Sequence, residues 1–335
     1  MAEETRGNGI RPDRLTLAAF AAVAVIGGGN AIAVKKTFVE LAPFWSAGLR
    51  FALAGLLVTA FVILARRPFP RGRGLAGSVA YGAIGFGGSF GFMYPALREV
   101  PAGTAMVFLA LVPLLTFGLA IAQRQERFHV QGLIGALIAG VGVVIVFADQ
   151  VSAAVPIVSL LFIIAGTVFI AESAILLKWI PRSDPYATNA VAMVSAAVIL
   201  LALAVIAGET FALPTGAETL VALAYLIVFG SILMFGLYLY ALRRWSASAM
   251  SYVTLFVPLV TVPLAAILIG ESISGSFVAG AATVLVGVYI GAFLKVRPRR
   301  SSATSLPECL PIDACAEPDV RPVAPEPRPA TGTAA

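Results

Sequence analysis

Glu172 is an ionisable side chain inside an otherwise apolar stretch, "IAESAILLKW" (170–179), where it could bind an amine or exchange a proton. If this stretch crosses a membrane, the acid costs roughly 2.5–3.5 kcal/mol on insertion scales and should face a bundle interior or a wet cavity. The alternative is a buried structural residue, protonated or hydrogen-bonded to a neighbouring helix. The sequence leaves both interpretations open.

Asn30 ends a run of three glycines, "GGGN" (27–30), and its amide offers both a donor and an acceptor. In membrane proteins built from two related halves, glycine-interrupted segments at corresponding positions point to a site at the membrane midplane. The chain has two such halves, whose alignment is given below. Allowing a short gap, Gly29-Asn30 in the first half corresponds to Glu172-Ser173 in the second, so we expect these positions to converge near the centre. The alternative is close helix packing through small residues.

Arg50 lies about seven residues inside the second apolar segment, at a different depth from Glu172. It could contact the carbonyl ends of broken helices or an anionic group of a bound molecule. We favour the other interpretation, a structural arginine bonded to neighbouring backbone.

Aromatic side chains recur in the third, eighth and ninth apolar segments, where they could form the wall of a cavity. Such a wall suits an apolar or aromatic ligand and could hold an ammonium group through cation–π contact. Tyrosine hydroxyls deep in a membrane need partners, which favours Tyr81 and Tyr252. A lipid-facing or interfacial position is the alternative for any one aromatic, and Trp245 beside Arg243 and Arg244 fits an interfacial belt. The residues predicted to bind a small molecule are Gly29, Asn30, Tyr81, Phe86, Phe108, Phe169, Glu172, Tyr238, Tyr252 and Phe256.

Catalytic and metal-binding patterns are weak in this sequence. The single histidine, His129, cannot form a two-histidine metal site, and both cysteines, Cys309 and Cys315, lie in the C-terminal tail. A phosphate-binding loop is not present. We therefore expect no cofactor, no metal and no enzymatic activity. The alternatives kept open are a membrane enzyme acting on lipid-linked intermediates and a scaffold.

The composition is that of an integral membrane protein. Of 335 residues, 59% are hydrophobic and 12% are charged, whereas soluble domains average about 45–50% and roughly 25%. A bilayer core needs roughly 20 apolar residues per helix. The sequence predicts an all-α fold with ten transmembrane helices, at 15–34, 43–65, 75–97, 101–124, 130–148, 155–179, 187–207, 217–241, 247–269 and 276–295.

Basic residues are distributed asymmetrically between the predicted loops. One side has Lys35, Lys36 and Arg98, whereas the other side holds most of the remaining lysines and arginines. The positive-inside rule then predicts that both termini are cytoplasmic. Because the net charge of +6 is explained by this topology, we expect a lipid bilayer and not nucleic acid as the partner.

The two halves of the chain are related by a shift of 145 residues. Pro113 then aligns with Pro258, Glu126 with Glu271, and "GFMYPALREV" from Gly91 with "GLYLYALRRW" from Gly236. Five helices per half is an odd number, so the second half must enter the membrane inverted, as in many transporters. We predict that Pro113 and Pro258 are paired hinges. Gly135 and Gly142, with their counterparts Gly280 and Gly287, are predicted to pack the halves together.

These motifs resemble the EamA-type members of the drug/metabolite transporter superfamily, and within it the YddG-like amino-acid exporters. The resemblance rests on "GGGNAIAVKK" (27–36), "GLRFALAG" (48–55), "LVPLL" (111–115), "FVPLV" (256–260), "GES" (270–272) and "GAATVLVGVYIG" (280–291). It covers about residues 15–295. It implies ten helices in two inverted five-helix repeats around a central cavity, and export of small metabolites, often amino acids. Glu172 departs from the family pattern, which leads us to expect an uncharged or aromatic residue there.

The expected organisation is a cytoplasmic N-terminus (1–14), two repeats (15–148 and 155–295) and a disordered cytoplasmic tail (296–335). The expected function is secondary transport by alternating access in the inner membrane, exporting small metabolites, with aromatic or other apolar amino acids among the candidates. We expect the protein to be a monomer.

Overall fold

The structure is a computed structural model that describes residues 13–100, 105, 108–146, 156–181, 183–269 and 275–293. The predictions for the N-terminal arm, for Glu271, and for the tail with Cys309 and Cys315 fall outside these residues.

The described residues form ten helical segments, which confirms the all-α prediction. Five are long and apolar enough to cross a membrane (α1, α2, α6, α7 and α8), and α4, α5, α9 and α10 are shorter apolar helices. The segments are α1 Arg14–Thr37, α2 Pro43–Leu64, α3 73–99, α4 Val112–Ala122, α5 Val130–Val146, α6 Ile157–Trp179, α7 Pro185–Ile206, α8 Ala217–Leu242, α9 247–269 and α10 275–293.

Local sequence signals set several helix starts. Asp13 and Asp184 accept hydrogen bonds from the first backbone N–H groups of α1 and α7, which otherwise lack intrahelical partners. Pro43 and Pro185 stand in the first turns of α2 and α7, where the missing N–H costs nothing.

Wide π-helical turns interrupt α3 and α8 at corresponding positions of the two halves. They cover Gly82–Gly88 and Val228–Leu233, and the 145-residue shift places the first over 227–233. Turns of this kind occur frequently at functional sites because they change which backbone groups are bonded within the helix. The two halves therefore share a π-helical turn at corresponding positions, in addition to their similar sequences.

Glycines on α5 and α10 bring the two halves into backbone contact. A Cβ added to Gly135 would lie 2.3 Å from the Gly291 Cα atom, and one added to Gly142 would lie 2.6 Å from the Val284 nitrogen. The prediction that these glycines pack the halves together is confirmed. The prediction for Trp245 is wrong: its side chain is only 5% exposed and packs 5.5 Å from the Phe20 ring, in the interior and not at an interfacial belt.

Two glutamates in loops, one after α1 and one after α7, each accept hydrogen bonds at the start of a helix in the other half. Glu209 accepts from the backbone N–H groups of Phe44 and Trp45 at the start of α2, at 3.1 and 2.7 Å. Glu40 accepts from the Thr219 hydroxyl at 2.6 Å and from the Thr215 backbone N–H at 2.7 Å, at the start of α8. Each half therefore caps a helix of the other half.

Because of the contacts of Glu40, we expect the free energy of unfolding to depend on pH. The Thr219 hydroxyl and the backbone N–H groups of Thr215 and Gly216 lower the pKa of Glu40 to about 2. A carboxyl group whose pKa is depressed by folding stabilises the fold above its unfolded pKa, and this contribution is lost as pH falls through the folded pKa.

We expect Glu40→Gln to lower the unfolding temperature at pH 6, with the difference from wild type shrinking between about pH 4.5 and pH 2. Glu218→Gln is the matched control, because Glu218 is 80% exposed and its pair with Lys36 is open to solvent. Thermal unfolding of the purified protein across this pH range measures both variants. If Glu40→Gln unfolds at the wild-type temperature at pH 6, the Glu40 contacts are not stabilising.

Candidate binding cavity

A cavity of about 250 Å³ lies between the two halves. It is lined mainly by apolar side chains of α1, α2, α3, α4, α6, α8 and α9. Ligand pockets for drug-sized molecules measure about 300–1,000 Å³, so this volume suits a smaller metabolite.

The cavity extends toward the side where α1 ends. Lys35 and Leu97, near the ends of α1 and α3, belong to its lining, and Lys35 is exposed. Its opposite end reaches Tyr81 and Ser251, close to the starts of α3 and α9.

Four of the residues predicted to bind a small molecule meet at this cavity: Asn30, Tyr81, Phe86 and Tyr238. The sequence also placed Gly29, Phe108, Phe169, Glu172, Tyr252 and Phe256 in the site, and none of these belongs to the lining formed by the described residues. For those six, a direct role in binding stays a prediction.

Packing explains where three of these six residues lie. Gly29 faces Tyr225, whose hydroxyl would be 2.3 Å from an added Cβ. Phe169 stacks on Phe92 with ring centroids 5.5 Å apart. Phe108 packs against a small cluster that includes Ile163.

The remaining two aromatics of the six serve other contacts. Tyr252 donates its hydroxyl to the Gly132 carbonyl at 3.1 Å, which satisfies the buried hydroxyl at the contact between α5 and α10. Phe256 meets the Phe20 ring edge-on at 5.4 Å.

Aromatic rings from both halves form one wall of the cavity. Phe86 lies 5.1 Å from Phe51, 4.4 Å from Phe235 and 5.0 Å from Tyr81, measured between ring centroids. Phe90 lies 4.9 Å from Phe51 and extends the wall. Such a surface is complementary to an apolar or aromatic group.

Arg50 is a buried charged residue of the cavity that was not among the residues predicted to bind a small molecule. It is only 1% exposed, and it lines the cavity. Its guanidinium donates to the Ser231 hydroxyl at 2.8 Å, the Tyr94 hydroxyl at 3.0 Å and the Gly230 carbonyl at 2.7 Å. The expected backbone bond is therefore present, and it is made to the π turn of α8, which the sequence could not reveal.

Glu172 lies near the end of α6, on the side where α1 begins, and bonds across the two halves. Both of its carboxylate oxygens accept from the Gln123 amide nitrogen at 2.9 Å. The Gln125 amide nitrogen donates to the Ile175 carbonyl at 2.9 Å nearby. These three contacts join the end of α4 to α6.

Two further bonds connect the halves on the same side. Glu126 accepts from the Ser248 backbone N–H at 3.2 Å, at the start of α9. Arg67 and Asp184 form an ion pair at 2.8 Å between the end of α2 and the start of α7. In this conformation the halves are thus bonded together on the side where α1 begins.

The two predicted hinge prolines occupy different positions in their helices. Pro113 stands in the first turn of α4, directly after a turn at Ala110 and Leu111. Pro258 lies inside α9, after a break at Tyr252. Each proline therefore follows an interruption of its helix, and their action as hinges stays a prediction.

Metal-binding geometry is not found within the described part of the chain, where no group of three or more His, Cys, Asp or Glu side chains could hold an ion.

Comparison with known proteins gives matches over both halves. The model of the EamA-like transporter family matches residues 14–148 and again residues 157–292. A "Probable amino-acid metabolite efflux pump" of Salmonella typhimurium is 28% identical over 294 residues, covering 84% of this chain and 96% of that protein. The "Uncharacterized inner membrane transporter YedA" of Escherichia coli K12 is 25% identical over 304 residues, covering 88% and 95%.

Two further similarities are more distant or partial. A chloroplastic WAT1-related protein of Arabidopsis thaliana is 27% identical over 276 residues, which covers 78% of this chain and 66% of that protein. A crystal structure of a protein with 19% sequence identity superposes with a TM-score of 0.71, covering 83% of this chain and 97% of the other. At that identity the structure supports the fold alone.

Proposed function

This chain belongs to the EamA-like transporter family, and from that premise we propose that it exports amino acids with aromatic or other apolar side chains. The family and the transporter-named relatives make it a multi-pass membrane transporter of small molecules and not an enzyme. The amino-acid substrate is supported by the Salmonella relative, which is named for amino-acid metabolite efflux.

The observation that carries this proposal is the aromatic cavity between the two repeats. Its lining comes from helices of both halves, so a change in their relative position would alter access to it from either side. Phe86, Phe90 and Phe235 offer an apolar side chain a complementary surface.

Transport is proposed to proceed by alternating access. The bonds at Glu172, Glu126 and Asp184 would break when the cavity opens toward the side where α1 begins, and the contacts of Glu40 and Glu209 would hold the opposite side. Pro113 and Pro258 are the proposed hinges.

We also propose a membrane topology and an oligomeric state for the transporter. The distribution of basic residues supports cytoplasmic termini, with 1–14 and 296–335 on that side of the inner membrane. The repeats 15–148 and 155–295 are proposed to move against each other within a monomer.

Efflux from loaded cells tests this function. Cells are fed a phenylalanine-containing dipeptide, and the phenylalanine released after its hydrolysis is followed in the medium. We expect cells that make this protein to release phenylalanine several-fold faster than cells that make Leu109→Trp, since Leu109 lines the cavity and the larger ring fills it.

Leu220→Trp is the control, because Leu220 on α8 is 48% exposed on the outside of the bundle. It should release phenylalanine like the wild type. Equal release by wild type, Leu109→Trp and cells without the protein, at matched protein levels, would refute the proposed function for this substrate.

A further inference from the structure

We infer that the cavity selects molecules that carry a carboxylate, with Arg50 as the specificity-determining counter-charge, and that an ammonium group is not required. This inference deepens the proposed function and rests on it for the identity of the site. It assigns which of the two charged groups of an amino acid the site requires, which neither the family nor the relatives' names specify.

The first step concerns the partners of Arg50. Its three acceptors, the hydroxyls of Ser231 and Tyr94 and the carbonyl of Gly230, are all neutral. Its guanidinium carbon also lies 5.3 and 5.2 Å from the ring centroids of Phe51 and Phe90. These contacts replace water around the guanidinium, but none of the described residues supplies a counter-ion for its positive charge.

The second step concerns the acidic residues. No Asp or Glu among the described residues belongs to the cavity lining. They are bonded elsewhere: Glu172 to Gln123, Glu126 to Ser248, Glu209 to the start of α2 and Glu40 to the start of α8. The described lining therefore holds a buried guanidinium and no carboxylate to balance it.

The third step concerns the field inside the cavity. Charges interact more strongly in a site walled by apolar groups than in water. Lys35 adds a second positive charge at the end of the lining where α1 ends. A carboxylate inside the cavity is attracted by these positive charges, whereas an amine without a carboxylate is repelled.

The fourth step concerns the donors. A guanidinium has five N–H groups, and Arg50 uses three of them for the bonds above. Among the described residues, the other two N–H groups donate to no acceptor that would compete with a carboxylate oxygen. A bond between these donors and a substrate carboxylate would be charge-assisted on both sides.

Asn30 provides a way to test the charge without altering Arg50. Its amide nitrogen lies 3.5 Å from the Gly230 carbonyl oxygen, the same atom that accepts from Arg50 at 2.7 Å. An aspartate at this position has the same shape and places a carboxylate next to the carbonyl group that the guanidinium binds, where it can balance the positive charge.

The experiment measures ligand-induced thermal stabilisation of the purified full-length protein by three molecules with the same aromatic body. These are 3-phenylpropionate, L-phenylalanine and phenethylamine, which carry a carboxylate, both groups and an amine, respectively. Because stabilisation depends on affinity, this readout does not require transport.

For the wild type, we expect 3-phenylpropionate and L-phenylalanine to bind at least about 10-fold more tightly than phenethylamine, the lower end expected for a hydrogen bond to a charged group. In Asn30→Asp this preference should fall by about the same factor, and in Asn30→Leu, which adds no charge, it should persist. Arg50→Lys should keep the preference and Arg50→Gln should lose it.

Equal stabilisation by the acid and the amine in the wild type would overturn the inference. An unchanged preference for the carboxylate in Asn30→Asp would also overturn it. Because this variant leaves Arg50 in place, the test still decides the question if the Arg50 variants do not fold. Failure of the proposed function is distinguishable, because carboxylate-selective binding without any phenylalanine efflux would refute the transport of that amino acid and leave the charge selection intact.

Discussion

Replacing Gly135 with alanine is expected to lower the unfolding temperature by about 2–5 °C, a range that corresponds to roughly 1–3 kcal/mol of overpacking in a chain of this length. The added Cβ would lie 2.3 Å from the Gly291 Cα atom, 2.4 Å from its nitrogen and 2.6 Å from the Gly287 carbonyl oxygen. All three are backbone atoms, so no side chain can rotate out of the way. The helices α5 and α10 must separate instead.

Gly140→Ala is the matched control for this prediction. Gly140 lies on the same helix, and a Cβ added there meets nothing within 4 Å. Its unfolding temperature should equal or exceed that of the wild type, since alanine favours helix more than glycine does. If Gly135→Ala unfolds like Gly140→Ala, the close contact between the halves is not what stabilises the fold.

The helices could be predicted from the sequence because membrane-length apolar runs leave few alternatives for the backbone. The contact of α5 with α10 could be predicted because Gly135 and Gly142 recur with Gly280 and Gly287, and small residues allow close approach. Both features depend on composition and spacing, which a sequence records directly.

The cavity could be predicted only in part. Asn30, Tyr81, Phe86 and Tyr238 line it, but the direction of a side chain depends on how each helix is rotated and where it is interrupted. The π turn at Val228–Leu233 brings the Gly230 carbonyl to Arg50, and no sequence pattern indicated that turn. Tyr252 shows the same limit, since the partner that its buried hydroxyl needs is the Gly132 carbonyl.

Glu172 illustrates a different difficulty. Its type and depth predicted a functional acid, and both a ligand site and a bond to a neighbouring helix were open. Its bond to Gln123 joins two halves that would separate in the proposed alternating access, so the residue can matter for transport without contacting the substrate.

Cross-linking positions 123 and 172 is expected to abolish transport in the linked molecules. Gln123→Cys and Glu172→Cys are combined with Cys309→Ser and Cys315→Ser, which removes both native cysteines. A short reducible bifunctional thiol reagent then joins α4 to α6 where the native side chains meet at 2.9 Å. Because a joined pair cannot separate, the cavity cannot open on that side.

The controls for this prediction are the two single-cysteine variants in the same background. Treated with the same reagent, each should keep its activity, because one cysteine cannot bridge the helices. The residual activity of the double variant should equal the fraction of molecules that remain unlinked.

L-Phenylalanine counterflow in proteoliposomes, measured before linking, after linking and after reduction, tests whether the two repeats move against each other to carry an amino acid through the cavity between them. We expect counterflow in the free protein, its loss in the linked protein and its recovery on reduction. Counterflow that is absent throughout, or that continues at full rate in fully linked protein, would contradict this mechanism.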